Sequence, residues 1–198
     1  MSIAILVLAA GKSTRMQSVK QLEKVGNKTL LNITLEKANQ LQKRNIYCVL
    51  GANANLIKKS IVLPNITTIF NDNYINGLST SIIAGLNYFK EHDLYFNAVF
   101  ILLADQPAID KEYLSSMKNL HLNNPSKIIA TQYKAHFGVP VIIPKTYFKS
   151  LLKINGDKGA KSFINEHKTE VLSSNLQTNN IDIDTPEELK LYRKSILK

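Results

Sequence analysis

A turn of small and hydroxyl-bearing residues follows the first apolar run of the chain. Residues 8–16 read LAAGKSTRM, and the letters GKST match the end of a phosphate-binding P-loop. A P-loop also needs a glycine five residues before its GK pair, and that position is Leu6 here. The GxGxxG fingerprint fails as well, because Ser13 stands where its second glycine should be. The turn is therefore neither of these motifs.

The same turn has the composition of a loop that could bind an anion. Its small residues, 9–11, let backbone N–H groups approach an anion closely, and Ser13 and Thr14 add hydroxyl donors. Arg15 and Lys20 follow, and they could neutralise different phosphates of a nucleoside triphosphate. An ordinary strand-to-helix turn with surface cations remains the alternative.

A single carboxylate ends a second apolar run, FILLADQP. Asp105 precedes a proline and comes at the end of a predicted buried strand. Mg²⁺ suits such a place because it takes one or two protein carboxylates and completes its octahedron with phosphate oxygens and water. The alternative is that Asp105 only caps the following turn.

Two further carboxylates occur near the end of the chain, in IDIDTPEEL. If this segment is a strand, its period of two places Asp182 and Asp184 on one face and Ile181 and Ile183 towards the core. A carboxylate pair on one face invites a cation, whereas Asp184 or Thr185 could instead cap the helix that follows. We favour Asp182 as a metal ligand and Asp184 as the first residue of that helix.

A fourth polar segment, NDNYINGLSTS, contains a turn at residues 76–77 and leads into a helical pattern. Ser79, Thr80 or Ser81 could cap that helix. Alternatively, the backbone donors of the same helix start could meet a base or a phosphate. Both interpretations stay open.

Strands and helices alternate along the chain, which is typical of an α/β fold with a largely parallel sheet. In such sheets ligands bind beyond the carboxyl ends of the strands, where the four polar segments lie. The predicted strands are Ile3 to Leu8, Ile46 to Leu50, Ile66 to Phe70, Ala98 to Leu103, Lys127 to Tyr133, Val139 to Ile143, Val171 to Leu172 and Ile181 to Ile183. The predicted helices cover Leu30 to Leu41, Ile82 to Phe89, Leu114 to Leu120, Tyr147 to Leu152, Ala160 to Glu166 and Glu187 to Ser195.

The composition bounds the class of protein. A length of 198 residues predicts one globular domain, and no apolar run approaches the roughly 18 residues of a membrane helix. The apolar start lacks a basic leader and Cys48 is the single cysteine, so we expect a cytoplasmic protein with a buried core thiol. The formal charge of +10 is spread along the chain, which disfavours nucleic-acid binding and suits a small anionic substrate.

The first motif resembles the signature of nucleotidyltransferases with a GT-A-like Rossmann fold. That signature is LAAG, a variable residue, Gly or Ser, another variable residue, Arg, then Met or Phe, with a lysine a few residues on. This chain reads LAAGKSTRM followed by QSVKQL. It departs from the signature at Gln17, where many members have glycine.

The remaining motifs are similar to those of the molybdenum cofactor cytidylyltransferase branch of the MobA-like NTP transferase superfamily. The chain contains NDNYINGLSTSIIAGL, ADQPAI, GVPVIIP, GDKGAK and DIDTPEEL in the order typical of that branch, so that the resemblance extends from Leu8 to Leu189. Two departures fall in the motifs expected to meet the acceptor. Val139 replaces a frequent histidine and Lys161 replaces an arginine.

The resemblance implies one Rossmann-like domain over residues 1–198, with a mostly parallel central sheet and helices on both faces. It implies Arg15, Lys20 and Asp105 as catalytic residues, and Asp105 and Asp182 as ligands of Mg²⁺ or Mn²⁺. The implied nucleotide-binding residues are Leu8, Ala9, Ala10, Gly11, Lys12, Ser13, Thr14, Arg15, Lys20, Gly77, Ser79, Ser81 and Asp105. The implied acceptor-binding residues are His136, Gly138, Pro140, Asp157 and Lys161.

The implied reaction is transfer of CMP from CTP, or of another nucleoside monophosphate from its triphosphate, to a phosphorylated acceptor with release of pyrophosphate. Ala10 favours CTP over GTP, because cytidylyl enzymes have LAAG whereas the related guanylyltransferases usually have LAGG; sugar-nucleotide enzymes share LAAG. Molybdopterin is the implied acceptor, and a molybdoenzyme that receives the finished cofactor is a further implied partner. A sugar phosphate or methylerythritol phosphate is the alternative acceptor. A non-catalytic nucleotide-binding chaperone or regulatory protein is the alternative of another class.

Overall fold

A seven-stranded sheet forms the centre of the molecule. The computed structural model describes residues 1–134, 136–156, 159–179 and 181–196 of the chain. In chain order the strands are β1 (Ile3–Ala9), β2 (Lys24–Val25), β3 (Lys28–Thr29), β4 (Ile46–Leu50), β5 (Ile66–Phe70), β6 (Ala98–Leu103), β7 (Ile128–Gln132), β8 (Phe137–Pro144) and β9 (Val171–Leu172). The helices are α1 (Leu30–Leu41), α2 (Ala54–Ser60), α3 (Leu78–Glu91), α4 (Lys111–Asn123), α5 (Phe148–Leu151), α6 (Gly159–Glu166) and α7 (Pro186–Ile196).

The sheet is mostly parallel, with strand order β5-β4-β1-β6-β8-β7-β9. Its parallel pairs are β1 with β4, β1 with β6, β4 with β5, and β7 with β9. Strand β8 runs against both of its neighbours, so β7 again points the same way as β6. The predicted α/β fold class is confirmed. The carboxyl ends of β1, β6 and β7 consequently meet at one edge.

Both faces of the sheet are covered by helices, which explains the continuous apolar letters of its central strands. All seven residues of β1 are buried. Ile5 and Val7 pack into one core with α1, α2 and α4, while Leu6 and Leu8 pack into the other with α3, α5 and α6. Gly85 of α3 faces Leu6, and a Cβ there would lie 2.6 Å from a Leu6 methyl group. The small residue therefore lets α3 lie close against the sheet.

Side-chain caps fix where two of the large helices begin. Thr29 accepts a hydrogen bond from the Asn32 N–H at the start of α1, and Asp110 accepts one from the Tyr113 N–H at the start of α4. Each cap satisfies a backbone donor that has no partner within the helix. The cap at Asp110 sets α4 immediately after the segment that carries Asp105.

Seven of the eight predicted strands correspond to observed strands, with their ends shifted by at most two residues. The strand predicted at 181–183 is wrong. Residues 181–184 have no strand assignment, and the Ile183 N–H donates to the carbonyl of Asp105 instead of joining a sheet ladder. Ile183 is buried as predicted, but Ile181 is 52% exposed and does not face the core.

The sequence patterns missed helix α2 and the antiparallel pair of strands β2 and β3. Helix α2 spans seven residues, and its first turn follows Asn53 in a left-handed conformation with no side-chain cap. Strands β2 and β3 have two residues each and pair through a turn that contains Gly26. Both elements are too short to produce a period in the sequence.

Two further predictions concern the burial of Cys48 and membrane-spanning helices. Cys48 lies in the core, and its burial raises the pKa of the thiol to about 12. In the ranges that the structure describes, no helix is both long enough and apolar enough to cross a membrane.

Candidate active site

A cavity of about 620 Å³ opens at the carboxyl edge of the sheet, where β1 and β6 end and α3 begins. It brings together nearly all the residues predicted to bind a nucleotide. Those that line it are Leu8, Ala9, Ala10, Gly11, Lys12, Ser13, Thr14, Arg15, Lys20, Gly77, Ser81 and Asp105. Asp182 and Asp184 line the same cavity. Ser79 is fully buried and does not.

The buried side chain of Gln21 supports the glycine turn, and sequence reasoning missed this residue. The Gln21 side-chain amide donates to the carbonyls of Ala9 and Gly11, at 3.1 Å each. Its oxygen accepts from the Ser13 hydroxyl, and that hydroxyl accepts from the Lys20 N–H. Gln21 is 4% exposed, so these bonds are shielded from water. The Ser13 hydroxyl, predicted as a phosphate donor, thus also orders the loop.

A close backbone approach supports the other side of the turn. The Ala10 carbonyl accepts from the Ala52 N–H, and a Cβ on Gly51 would lie 2.8 Å from that carbonyl oxygen and 2.5 Å from the Cβ of Tyr74. Gly51 therefore has to lack a side chain. Around Gly11, in contrast, an added Cβ would meet nothing within 4 Å, so space beside its Cα is open.

Lys20 forms two short ion pairs at the centre of the cavity. Its Nζ lies 2.6 Å from Oδ2 of Asp105 and 2.7 Å from Oδ1 of Asp184. The second oxygen of Asp184 pairs with Nη2 of Arg15 at 2.7 Å. The Lys20 side chain is 13% exposed and that of Arg15 is 71% exposed. The structure thus brings together the two predicted cations and the predicted carboxylate, and it adds Asp184.

These charges shift one another's pKa values. Burial alone would lower the pKa of Lys20, but its bonds and charge attraction to Asp105 and Asp184 outweigh burial and raise it. Burial likewise acts to raise the pKa of Asp184, but Lys20 and then Arg15 bring it below its usual value. Lys20 is therefore a cation and Asp184 an anion at neutral pH.

The residues around Asp105 fit a divalent cation. Asp105 Oδ1 is buried and has no hydrogen-bond partner among the described residues, which leaves one lone-pair oxygen free to coordinate. Burial, followed by the charge of Asp105, raises the pKa of Asp182. Within the described ranges no three His, Cys, Asp or Glu residues form a ready metal cluster. Mg²⁺ needs fewer protein ligands than that.

Asp184 does not begin helix α7, which corrects the prediction from sequence. Thr185 caps that helix, because its Oγ1 accepts from the Glu188 N–H. The Glu188 carboxylate accepts in return from the N–H groups of Asp184 and Thr185. This reciprocal pair is a capping box, and the spacing Thr-x-x-Glu predicts it. Asp184 is therefore free to reach Lys20 and Arg15.

The start of α3 is organised by Gly77 and by hydroxyl groups. Gly77 has φ +100°, a value that L side chains rarely adopt, and its carbonyl accepts from the Thr80 hydroxyl at 2.8 Å. The Ser81 hydroxyl accepts from the side-chain amide of Asn71. The Ser79 N–H donates to the Gly156 carbonyl. Of the three hydroxyl residues considered for this helix start, Ser81 lines the cavity.

Two cavity residues had no signal in the sequence beyond their place in the NDNYING segment. Tyr74 and Ile75 belong to a single 3-10 turn before α3, and both line the cavity. The Nζ of Lys12 lies 6.0 Å from the centre of the Tyr74 ring. A ring and an apolar side chain at this position could pack against the base of a nucleotide whose phosphates lie at the glycine turn.

The predicted acceptor residues do not gather in this cavity. Gly138 and Pro140 are buried in β8, where Gly138 packs against the ring of Tyr133. His136 lies just before β8, and Lys161 is exposed on α6. Asp157 lies outside the described residues.

A mostly parallel sheet with helices on both faces and a ligand-sized cavity at its carboxyl edge defines a Rossmann-like α/β protein. Within that class, the model of the MobA-like NTP transferase domain matches residues 5–171, and the chain belongs to this family.

Known proteins extend the comparison. The chain is 27% identical over 170 residues to the bifunctional protein GlmU of Pseudomonas aeruginosa (strain LESB58), an alignment that covers 85% of this chain and 34% of GlmU. It spans only a quarter of the length of other GlmU relatives, such as that of Pseudomonas putida (strain GB-1).

Solved structures share the fold at lower identity. The Mycobacterium sp. strain JC1 homologue of rv0371c has a TM-score of 0.82 and 24% identity, covering 98% of this chain and 96% of that one. A complex of Rv0371c from Mycobacterium tuberculosis H37Rv with manganese has a TM-score of 0.78 and 21% identity, covering 98% and 100%. The CTP complex of CMP:2-keto-3-deoxy-manno-octonic acid synthetase has a TM-score of 0.76 and 11% identity, covering 100% of this chain and 99% of that one. These likenesses concern the fold.

Proposed function

We propose that this chain is a nucleotidyltransferase that transfers CMP from CTP to a phosphorylated acceptor and releases pyrophosphate. The observation that carries the proposal is the pair formed by Lys20 and Asp105 beside the glycine turn, with Asp105 Oδ1 buried and unpartnered among the described residues. Membership of the MobA-like NTP transferase family supports the same reaction class.

In the proposed reaction, a phosphate oxygen of the acceptor attacks the α-phosphorus of CTP. A new O–P bond forms, the bond from the α-phosphorus to the bridging oxygen breaks, and pyrophosphate leaves with that electron pair. A phosphate monoester is already ionised near neutral pH, so the attack needs no strong general base. Catalysis then consists mainly of positioning and of stabilising charge.

Each residue of the cluster has a part in this scheme. Lys20 and Arg15, which pair with carboxylates and line the cavity, stabilise charge on the α-phosphate and the leaving group. Asp105 and Asp182 hold a divalent cation, Mg²⁺ or Mn²⁺, which neutralises phosphate charge when bound. The manganese complex of a structural neighbour supports divalent metal use.

The proposal also specifies the base of the nucleotide and the identity of the acceptor. Ala10 in LAAG supports CTP, and a structural neighbour was solved with CTP. The ordered motifs GVPVIIP, GDKGAK and DIDTPEEL support molybdopterin as the acceptor, with a molybdoenzyme as the recipient of the product. A second candidate is the phosphate of a methylerythritol, because 4-diphosphocytidyl-2C-methyl-D-erythritol synthase of Anaerococcus prevotii DSM 20548 shares the fold.

The proposal is tested by pyrophosphate release with CTP, GTP, UTP and ATP against molybdopterin, sugar phosphates and 2C-methyl-D-erythritol 4-phosphate, each with Mg²⁺ or Mn²⁺. We expect release with CTP and molybdopterin. Asp105→Ala should lower kcat by roughly 10²-fold or more, because the metal and Lys20 both lose a ligand.

Asp93→Asn is the matched control, since Asp93 is an exposed carboxylate in the turn after α3. Circular dichroism of both variants checks that they fold. No metal-dependent release with any triphosphate would favour a non-catalytic nucleotide-binding protein, and normal turnover of Asp105→Ala would refute the metal site.

A further inference from the structure

The side chain of Gln106 is buried next to the candidate site, and the proposed reaction gives it no part. Gln106 follows Asp105 in the chain and is 5% exposed. Its amide nitrogen donates to Oδ1 of Asp182 at 2.7 Å, to the Tyr133 hydroxyl at 3.0 Å and to the Val139 carbonyl at 3.5 Å. One buried amide thus bonds directly to a carboxylate of the cavity.

The orientation of this amide is fixed by its neighbours. The Tyr133 hydroxyl donates to the Val139 carbonyl at 2.6 Å, so it accepts from Gln106. An amide oxygen in the place of the nitrogen would face the oxygens of Asp182 and Val139, which only accept. The amide therefore has to present its N–H groups to Asp182.

The other end of the amide costs stability. The Gln106 Oε1 atom is buried and has no hydrogen-bond partner within the part of the chain that the structure describes. An unsatisfied buried acceptor is unfavourable, and an apolar side chain of similar shape would avoid that cost. Packing alone thus does not account for an amide at this position, whereas a bond to Asp182 does.

Two bonds join the segment of Asp182 to that of Asp105. Besides the bond from Gln106, the Ile183 N–H donates to the Asp105 carbonyl at 2.9 Å. Residues 105 and 106 therefore hold residues 183 and 182, one through the backbone and the other through a side chain. Because both carboxylates line the same cavity, this double link fixes one relative to the other.

The partners of Asp182 and Asp184 give the two carboxylates different capacities for a metal ion. Both oxygens of Asp184 pair with cations, Oδ1 with Lys20 and Oδ2 with Arg15. Asp182 has a neutral donor on Oδ1, and its other oxygen makes no hydrogen bond to any described residue. It therefore keeps an oxygen that can coordinate. Ligand carboxylates in metal sites are commonly oriented by such outer hydrogen bonds.

We infer that Gln106 is a positioning residue of the metal site, whose amide holds Asp182 so that its free oxygen coordinates a divalent cation together with Asp105. Gln106 itself contacts neither the cation nor the nucleotide. The inference rests on the proposed function, because it needs a divalent cation at Asp105. Outer partners of this kind contribute roughly 10- to 100-fold in metal affinity.

Replacing Gln106 by methionine tests the inference, since methionine has a similar length but no donor. Tyr133 keeps its bond to the Val139 carbonyl, and Asp182 can be hydrated from the cavity, so the variant leaves no new buried group unpaired. Mn²⁺ is titrated into the full chain, and bound Mn²⁺ is measured by electron paramagnetic resonance. We expect the Kd for Mn²⁺ to rise about tenfold. Gln106→Asn, whose amide is one methylene shorter, gives the same comparison if Gln106→Met does not fold.

Asp182→Asn and the double variant show whether Gln106 acts through Asp182. If it does, the double variant should bind Mn²⁺ within about twofold of Asp182→Asn alone, because both changes remove the same ligand. Fully additive losses would overturn the inference. Gln42→Met is the matched control, since the Gln42 amide also donates to three carbonyls, but at the amino edge of the sheet. It should bind Mn²⁺ as the wild type does.

Pyrophosphate release with CTP provides a second readout. In Gln106→Met the Mn²⁺ concentration for half-maximal rate should rise about tenfold, while kcat at saturating Mn²⁺ stays within about twofold of wild type. A fall in kcat that excess Mn²⁺ does not restore would indicate a general structural role and overturn the inference. Equal Mn²⁺ affinity of Gln106→Met and a wild type that binds Mn²⁺ would overturn the inference alone. A wild type that binds no Mn²⁺ would refute the metal site of the proposed function, and the inference with it.

Discussion

Lys20 is the residue at which the charges of the candidate site meet. It lies within 2.7 Å of two carboxylates and is largely shielded from water, so its side chain is fixed in position before any ligand arrives. A preorganised cation stabilises developing charge without a cost of reorientation at the moment of reaction. We therefore expect Lys20 to contribute more than the exposed Arg15 to stabilising charge on the phosphates.

Replacing Lys20 by methionine tests this ranking. The variant keeps the apolar stem but leaves Asp105 and Asp184 without their shared cation. We expect kcat/KM for CTP to fall by roughly 10²- to 10³-fold, and the free energy of unfolding to fall by about 1–3 kcal/mol. Pyrophosphate release and urea unfolding measure the two effects.

Lys28→Met is the control for Lys20→Met, because Lys28 also pairs with a carboxylate, that of Glu36, but on the exposed surface. Surface pairs contribute little, so this variant should behave as wild type. Similar activity of Lys20→Met and Lys28→Met would contradict the ranking.

At the level of residues, the sequence indicated the charged groups of the cavity better than it indicated the residues that support them. Asp105 was singled out because a carboxylate at the end of an apolar strand is conspicuous, and Lys20 because it follows the glycine turn as the signature lysine does. Gln21 was missed because its role depends on burial beneath the turn, which no spacing reveals. Asp184 was misassigned because both a cap and an ion pair suit an aspartate before a helix, and only the fold brings Lys20 to it.

At the level of elements, the site depends on a segment that has no regular structure. Residues 181–184 lie beyond the sheet and are held by the Asp105 carbonyl, which accepts from the Ile183 N–H, and by the capping box of α7. The alternation of Ile and Asp in IDID imitates a strand. The segment is not one, because its backbone bonds are made to the Asp105 segment and to the helix cap.

Two variants separate capping from site chemistry in this segment. Thr185→Ala removes the cap of α7 and should lower the free energy of unfolding by about 1 kcal/mol, with most activity retained. Asp184→Asn removes the partner of Lys20 and Arg15, and it should lower kcat/KM for CTP more than Thr185→Ala does. Urea unfolding and pyrophosphate release compare them. The reverse pattern would restore Asp184 as the helix-start residue.

The long elements were predictable because each carries its own signal. Strands β1, β4 and β6 are continuous apolar runs buried on both faces, and α1 and α3 have apolar residues at helical spacing. The antiparallel direction of β8 has no such signal. It follows from the short connection between β7 and β8, which is too brief for a crossover helix.

At the scale of the whole molecule, the chain carries an excess of positive charge, which suits an anionic substrate. The formal net charge of +10 is distributed along the chain, and a positive field raises the local concentration of a polyphosphate. The candidate cavity lies at the carboxyl edge of the sheet, where such a field would act on a bound polyphosphate. That the chain forms one domain over residues 1–198 stays a prediction.

A charge-reduced variant distinguishes this long-range field from the local cations. Three exposed lysines lie near the ends of α1, α2 and α3, namely Lys43, Lys59 and Lys90. None of them lines the cavity at the carboxyl edge of the sheet. Changing all three to glutamine should lower kcat/KM for CTP about two- to threefold at 0.1 M salt, since attraction over about 10 Å is still felt there. Turnover at saturating CTP should be unchanged, because the cluster around Lys20 is intact. At about 1 M salt, where the Debye length is about 3 Å, the variant and the wild type should converge. Equal kcat/KM of the variant and the wild type at low salt would contradict a contribution of these three lysines to attracting the triphosphate.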